Sequence, residues 1–382
     1  MSITTPRGFR ASGVAAGLKE SGLDVALVVN DGPLDAAAGV FTANRVKAAP
    51  VLWSEQVLAG GRVRAVVLNA KYANACTGPN GFEITHASAE AVAATQGIGA
   101  AEVAVCSTGK IGEPPPLEIV QCAVIAAAAQ LSDSGGADAA DAIRTTDTVS
   151  KQAVVKGDGW SVGGMAKGAG MLAPALATML CVLTTDAVAE VVDLDRALRD
   201  ACRVTFDRVD SDGCLSTNDT VLLLASGASG ITPSYDDLAA AVHAVCSDLA
   251  RQLVADAEGA TKDLVIEVRG AATEDDAVEA ARAISRSNLL KCALHGEDPN
   301  WGRIVAAVGT TNATFDPLSI DAAINGVWVC RDTAPGEDPS AVDMSGREIT
   351  IEVDLKAGAA AATILSNDLT AAYVHENSAY ST

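Results

Sequence analysis

Apolar residues recur along this chain in short runs rich in valine, leucine and isoleucine, at residues 25–29, 65–68, 103–106, 179–183, 221–225, 264–268, 304–308 and 349–355. Runs of that length between polar or glycine-containing segments predict buried strands. Elsewhere apolar positions return at helical spacing, over 117–130, 195–206, 236–257 and 275–290. Pro233 and Ser234 ahead of Asp236 mark a helix start, and Gly259 after Glu258 marks a stop. Stretches 132–141, 226–234 and 332–346 are dense in Gly, Ser, Asp and Pro and read as loops. The pattern is that of a mixed α and β chain. Its alternation invites a doubly wound parallel sheet, yet no GxGxxG fingerprint follows a first strand.

Composition narrows the picture. At 382 residues the chain is long enough for a large core and for two or three domains. Aromatics make up only 3% of it, so alanine, valine and leucine must fill that core. A net charge of −21 leaves little to neutralise phosphates and argues against a nucleic-acid partner. The acidic surface suits solubility, and a cationic substrate would be compatible with it. Nine cysteines without CxxC pairs, among them Cys106, Cys181, Cys246 and Cys292 inside apolar runs, predict buried, reduced thiols and a cytoplasmic protein. No signal-like apolar stretch stands at the N-terminus, and no unbroken run of eighteen apolar residues predicts a membrane span.

The segment KGAGMLAPALATML, residues 167–180, is a glycine- and proline-broken loop that enters an apolar strand at Thr178. A threonine hydroxyl is a weak nucleophile, but an N-terminal threonine carries its own base, an α-amine with a pKa of roughly 7.7–8.0. The small residues around Ala177–Thr178 would let the backbone bend toward that hydroxyl, as self-cleavage by an N-to-O acyl shift requires. Histidine chemistry has less support. His86, His243, His295 and His375 lie far apart, His295 with Glu297 is the nearest approach to a ligand pair, and no G-x-S-x-G elbow is present, so no metal is expected.

The run KGAGMLAPALATMLCVLTTDA closely resembles the glutamate N-acetyltransferase/ornithine acetyltransferase family of arginine biosynthesis. The likeness continues through NAxxANACTG at 69–78, STGxIGE at 107–113, TTDT at 145–148, STNDT at 216–220, EGATK at 258–262, GEDPNWGR at 296–303 and HENSAYST at 375–382. It implies an α+β fold, an αββα sandwich of the ornithine acetyltransferase/DmpA-like type with a smaller additional α/β lobe. It also implies self-cleavage at Ala177–Thr178 into an α chain, 1–177, and a β chain, 178–382, that stay intertwined and assemble as an α2β2 heterotetramer. The implied activity moves an acetyl group from N2-acetyl-L-ornithine to L-glutamate through Thr178, without a cofactor. Use of acetyl-CoA as a second donor stays open.

On the same resemblance, Thr108 and Gly109 form the oxyanion hole. Substrate is bound by Thr178, by Lys167, by Thr145 or alternatively Thr146, by Glu258, whose carboxylate suits the δ-ammonium of ornithine, and by Asn377 and Thr382 of the tail. GEDPNWGR is taken as a structural turn tied by an internal ion pair. Several residues depart from the family pattern: Ala70, Lys71 and Tyr72, where serine, glycine and a small or polar residue are usual, Lys110, where an aliphatic one is, and Pro115 beside Pro116. They put donor and acceptor range in question. An amidohydrolase or aminopeptidase on the same scaffold, an acyltransferase for a different amino acid, and an unprocessed, inactive binding protein are the alternatives.

Overall fold

The computed structural model describes residues 2–173 and 179–379. It divides into two compact units. The first runs up to Asp207 and resumes over Cys214–Asp256. In chain order it holds β1 (Phe9–Val14), β2 (Val25–Asn30), β3 (Ala36–Phe41), α1 (Ala49–Leu58), β4 (Ala65–Asn69), α2 (Gly78–Gln96), β5 (Val103–Ser107), α3 (Leu117–Ala129), α4 (Gly136–Ala142), β6 (Lys151–Lys156), β7 (Ser161–Lys167), β8 (Leu180–Thr185), α5 (Val191–Val204), β9 (Thr220–Ala225) and α6 (Tyr235–Ala255). The strands form two sheets, ordered β1-β2-β4-β5 and β3-β9-β8-β7-β6.

Side-chain alternation explains the layering. On β2, Ala26 and Val28 join a cluster with Met165, Leu180, Val182, Leu222 and Leu224 of the five-stranded sheet. Val25, Leu27 and Val29 point the other way, into a cluster with Val92 of α2 and Val120 and Val124 of α3. The five-stranded sheet sorts likewise. While Leu180 and Val182 face the first sheet, Cys181 of β8 lies among Cys202 of α5 and Cys246 of α6, all three buried and pushed well above the usual thiol range by that burial. At Gly164 of β7 an added Cβ would come within 2.8 Å of the Leu183 side chain and of that of Val245 of α6, so any larger residue would have to displace them. Four layers result, α2/α3, sheet, sheet and α5/α6, which is the expected αββα sandwich. By length and composition α6 could cross a membrane, but half of its apolar window is buried, and it packs on β6 and β7 as a core helix.

The second unit comprises Arg208–Gly213 and the stretch from Ala257 onward. It holds β10 (Asp263–Ala271), α7 (Glu274–Ser285), α8 (Asn288–His295), α9 (Trp301–Val308), β11 (Asp321–Ile324), β12 (Val327–Arg331), β13 (Ala334–Pro335), β14 (Glu348–Asp354), β15 (Ala360–Asn367) and α10 (Ala371–Ala379). Its sheet is ordered β13-β12-β11-β14-β10-β15. Leu264, Ile266 and Val268 bury one face of β10 against Ala277, Ala280 and Ile284 of α7 and against α9. This is the expected smaller α/β lobe.

Several expectations need correction. Residues 304–308 lie in α9, not a strand: Ile304, Ala307 and Val308 are buried at helical spacing, a pattern a short apolar run cannot distinguish from a strand by periodicity. The helix expected over 275–290 is two, α7 and α8, parted where Ser287 caps the second by accepting the Leu290 N–H. Helix α6 ends at Ala255, so Glu258 lies in a turn beyond it. Cys292 is exposed; Cys106, Cys181 and Cys246 are buried, and all nine thiols are free.

The shared core between the two sheets gives a direct test. Leu222 is fully buried within it. Leu222→Ala should cost about 2–5 kcal/mol, read as a lower urea midpoint at unchanged m-value. An unaltered midpoint would show that the two sheets do not share this core.

Candidate functional site

Strand β5 ends at Ser107 and delivers Thr108 and Gly109 into a loop braced from two sides. Thr108 N–H donates to Asn69 O at 3.0 Å and Lys110 N–H to Lys71 O at 2.9 Å. Ser107 Oγ donates to Asn69 Oδ1 at 2.6 Å. Asn218 Nδ2 reaches across to both segments, donating to Ala73 O at 2.6 Å and Ser107 O at 2.8 Å. Gly109 has φ +125°, and a Cβ there would lie 2.2 Å from the Lys71 carbonyl carbon, so no other residue fits. The amides on either side of Gly109 are tied to the 69–71 segment.

Beside this loop lies Lys167. It is the last residue of β7 rather than a solvated loop lysine, and only 1% exposed. Its Nζ donates to Thr108 Oγ1 at 3.1 Å. A hydroxyl that accepts from an ammonium keeps its own proton to donate onward, and the nearby charge makes it a stronger donor. Thr108 and Gly109 thus place a hydroxyl and an amide, both hydrogen-bond donors, next to each other at the end of β5.

Two carboxylates set the electrostatics. Asp147 Oδ1 accepts from Lys151 Nζ at 2.6 Å and from the Gly168 N–H at 2.7 Å, and its Oδ2 accepts the Thr145 N–H at 3.1 Å. Burial alone would raise the Asp147 pKa, but the Lys167 and Lys151 charges and the Gly168 amide outweigh it and hold the carboxyl at about 2. Lys151, with no exposed side chain, also bonds Asp256 at 2.6 Å. Asp219 is the opposite case. Fully buried, it accepts the Met179 N–H at 3.1 Å through Oδ1. Burial holds it well above the usual carboxylate range, against the pull of that amide, the Ser216 hydroxyl and Lys167.

In the second unit, Asn377 Nδ2 donates to Glu258 Oε2 at 3.0 Å, which joins two of the expected substrate residues. Glu258 borders a cavity of about 260 Å³ that is also lined by Ser211, Arg286, Lys291, Asp368 and Tyr373. The EGATK turn is fixed by Asp368, which accepts the Thr261 and Lys262 amides at 2.9 and 3.0 Å, the Thr261 hydroxyl at 2.5 Å and His295 at 2.9 Å. The Thr261 hydroxyl donates to Asp368 and also lies 3.1 Å from His295 Nδ1, so the three side chains form one cluster. The ion pair of GEDPNWGR is not internal: Glu297 pairs with Lys262 at 2.7 Å and Arg303 donates to the Leu289 carbonyl, while inside the segment Asn300 Nδ2 donates to Asp298 Oδ2 at 3.0 Å. His295 and Glu297 therefore turn to different partners. Among the described residues no group of three His, Cys, Asp or Glu side chains is placed to hold a metal.

Of the expected residues, Thr108, Gly109, Thr145 and Lys167 come together in the first unit, and Glu258 with Asn377 in the second. Ala177, Thr178 and Thr382 lie outside the described residues. Asp147, Asn218 and Asp219 were missed as individual residues although the motifs TTDT and STNDT contain them; a buried carboxylate in a polar tetrapeptide carries no periodic signal. Lys110 pairs with Glu113 at 2.7 Å on the surface, which turns one of the unusual residues outward.

The sequence matches the ArgJ family over residues 10–382. It is 66% identical over 382 residues to the arginine biosynthesis bifunctional protein ArgJ of Streptomyces coelicolor, with all of both chains covered, and 60% identical over 383 residues to that of Thermobifida fusca, again with both covered in full. Among solved structures, ornithine acetyltransferase from Mycobacterium tuberculosis, complexed with ornithine, matches at 56% identity and a TM-score of 0.45, covering 47% of this chain and 96% of that one.

The depressed Asp147 pKa has a consequence for stability. An acid whose folded pKa lies below its unfolded value stabilises the fold fully above the unfolded value, near 3.8, and the contribution disappears as pH falls toward about 2. The shift corresponds to something on the order of 2 kcal/mol. Urea midpoints of the parent should therefore fall between about pH 4 and pH 2, and Asp147→Asn should be less stable at neutral pH with a flatter acid limb. Parallel limbs for the two proteins would remove Asp147 from the balance.

Proposed function

The chain belongs to the ArgJ family and is an acetyl-transferring enzyme of arginine biosynthesis, and from that premise we propose that the acetyl group passes from N2-acetyl-L-ornithine to L-glutamate through an ester on Thr178. The observation that supports this reading best is Lys167 Nζ on the Thr108 hydroxyl beside Gly109, a donor pair built into the end of β5. Thr178 Oγ attacks the acetyl carbonyl while the freed Thr178 amine takes the hydroxyl proton. The oxyanion is met by the Thr108 hydroxyl and the Gly109 N–H. Collapse expels the ornithine α-amine, which receives that proton. The neutral amine of glutamate then attacks the ester and gives a proton to the Thr178 amine, the same donors serve the second tetrahedral intermediate, and collapse breaks the acyl–Oγ bond, Thr178 Oγ taking that proton as N-acetylglutamate leaves. Glu258 takes the δ-ammonium of ornithine, and Thr145, Asn377 and Thr382 help to bind substrate.

Self-processing at Ala177–Thr178 belongs to this reading, because only a free Thr178 amine supplies the base. Sheet topology is compatible with a cut there. In the five-stranded sheet, β7 precedes and β8 follows the bond, and they pair antiparallel from Val162↔Thr185 to Lys167↔Leu180. Chains 1–177 and 178–382 would remain interlocked through this ladder and the core beneath it. An α2β2 assembly and a reducing, cytoplasmic setting complete the proposal, the latter supported by nine free thiols.

Purified protein should therefore run as one species in native buffer and as two chains after denaturation, with Thr178 first in the C-terminal chain. A single uncut chain, or processing that persists in Thr178→Ala, contradicts the nucleophile assignment. Rates with acetylornithine and glutamate varied together should give parallel double-reciprocal lines, and donor alone should leave an acetyl group on the 178–382 chain. Intersecting lines without an adduct would indicate direct transfer, and ornithine release that needs no glutamate would indicate a hydrolase.

A further inference from the structure

We propose that Asp147 is a positioning residue for acetyl transfer: one buried carboxylate fixes Thr145 and the Lys167–Gly168 corner together and keeps the Lys167 ammonium charged on the Thr108 hydroxyl. The inference rests on the acetyl-transfer reading above. Both oxygens of Asp147 are used. Oδ2 holds the Thr145 amide, and Oδ1 holds the Gly168 amide that directly follows Lys167. One side chain thereby ties the TTDT segment to the end of β7, where Lys167 Nζ meets Thr108 Oγ1 at 3.1 Å.

The charges around it make the role more than a brace. Facing Asp147 are Lys167 from β7, Lys151 from β6 and, through Lys151, Asp256 just beyond α6, while Asp219, just ahead of β9, also faces Lys167. Arg144 meets the Asp147 backbone carbonyl through Nε at 3.2 Å and Nη2 at 2.9 Å, and Lys19 lies within reach of its field. A lysine 1% exposed would lose its proton readily without a carboxylate nearby, since burial penalises the charged form. Asp147 opposes that penalty at Lys167, whereas Lys151, a like charge in the same cluster, adds to it. The two neighbours therefore act on Lys167 with opposite sign. Loss of the Lys167 charge would leave the Thr108 hydroxyl a weaker oxyanion donor, so the alkaline limb of turnover would report the Lys167 proton.

Asp147→Asn and Lys151→Met should be compared in the pH dependence of kcat/KM for acetyl transfer from acetylornithine to glutamate. Removing the carboxylate should move the alkaline limb to lower pH by about one unit and lower kcat about tenfold or more. Removing the Lys151 charge should leave that limb in place or move it to higher pH, even though both substitutions disturb the same buried cluster and lower thermal stability. A merely structural Asp147 would lower stability in both variants with the limb unmoved, and that outcome overturns the proposal. If Asp147→Asn fails to fold, Lys151→Met decides alone: an alkaline limb displaced to lower pH overturns it. Failure of the underlying reading looks different, because then the parent enzyme forms no acetyl adduct on the 178–382 chain.

Discussion

Two lysines without access to water, Lys151 and Lys167, lie in the first unit, and their charge has to be met where it is buried. Removing an ammonium from water costs several kcal/mol even after relaxation, so such groups persist only among carboxylates and hydrogen-bond acceptors of good geometry. Asp147 and Asp256 provide these for Lys151, and Asp147 together with the Thr108 hydroxyl for Lys167. Much of the local chain course follows. Asp256 also accepts the Thr148 amide at 3.0 Å, so the segment just beyond α6 is joined to the TTDT segment and the start of β6. The candidate oxyanion hydroxyl is thus one acceptor in a charge network, and its position is as fixed as that network.

The order of strands gives this network its second property. In the five-stranded sheet β7 and β8 are neighbours, yet the connection between them contains the proposed scissile bond. Ladder hydrogen bonds and the core shared with the four-stranded sheet join both strands independently of that connection. A chain arranged this way can separate one peptide bond from its structural duty. Asn218 extends the arrangement, since a residue just ahead of β9 braces the loop that follows β5 and so ties the candidate site to both sheets.

Much of the fold was legible in the chain. The valine-rich runs at 25–29, 65–68, 103–106 and 221–225 all lie in strands, because buried strands of branched residues leave a compact local signal. What escaped has identifiable causes. Strand β7 reads SVGGMAK, where two glycines hide the pattern, Gly164 lying beneath Val245 and Leu249 of α6 and Gly163 against the Ser2 carbonyl and Pro6. Helix α2 begins Gly-Pro-Asn-Gly, a turn signature at a helix start. At the site, Thr108, Gly109 and Lys167 were legible as motif members, while Asp147 and Asp219 were not singled out. Their importance lies in burial and partners distant in sequence, and neither leaves a periodic trace.

The departures from the family pattern also look different once placed. Lys110 is drawn to the surface by Glu113, so its charge is neutralised away from Thr108. Tyr72 packs partly against the apolar cluster under α2 and α3, and acts as packing. Lys71 is the informative one, for it stands at φ 80°, in the left-handed region, where the family pattern has glycine. A side chain there costs on the order of 1 kcal/mol and persists only where its surroundings over-determine the backbone. They do so here: the Lys71 carbonyl accepts the Lys110 N–H at 2.9 Å and lies against Gly109 too closely for any Cβ to intervene. Backbone geometry at position 71 thus serves the loop that follows β5, and lysine is held in the left-handed region there by the loop's hydrogen bonds rather than by its own preference.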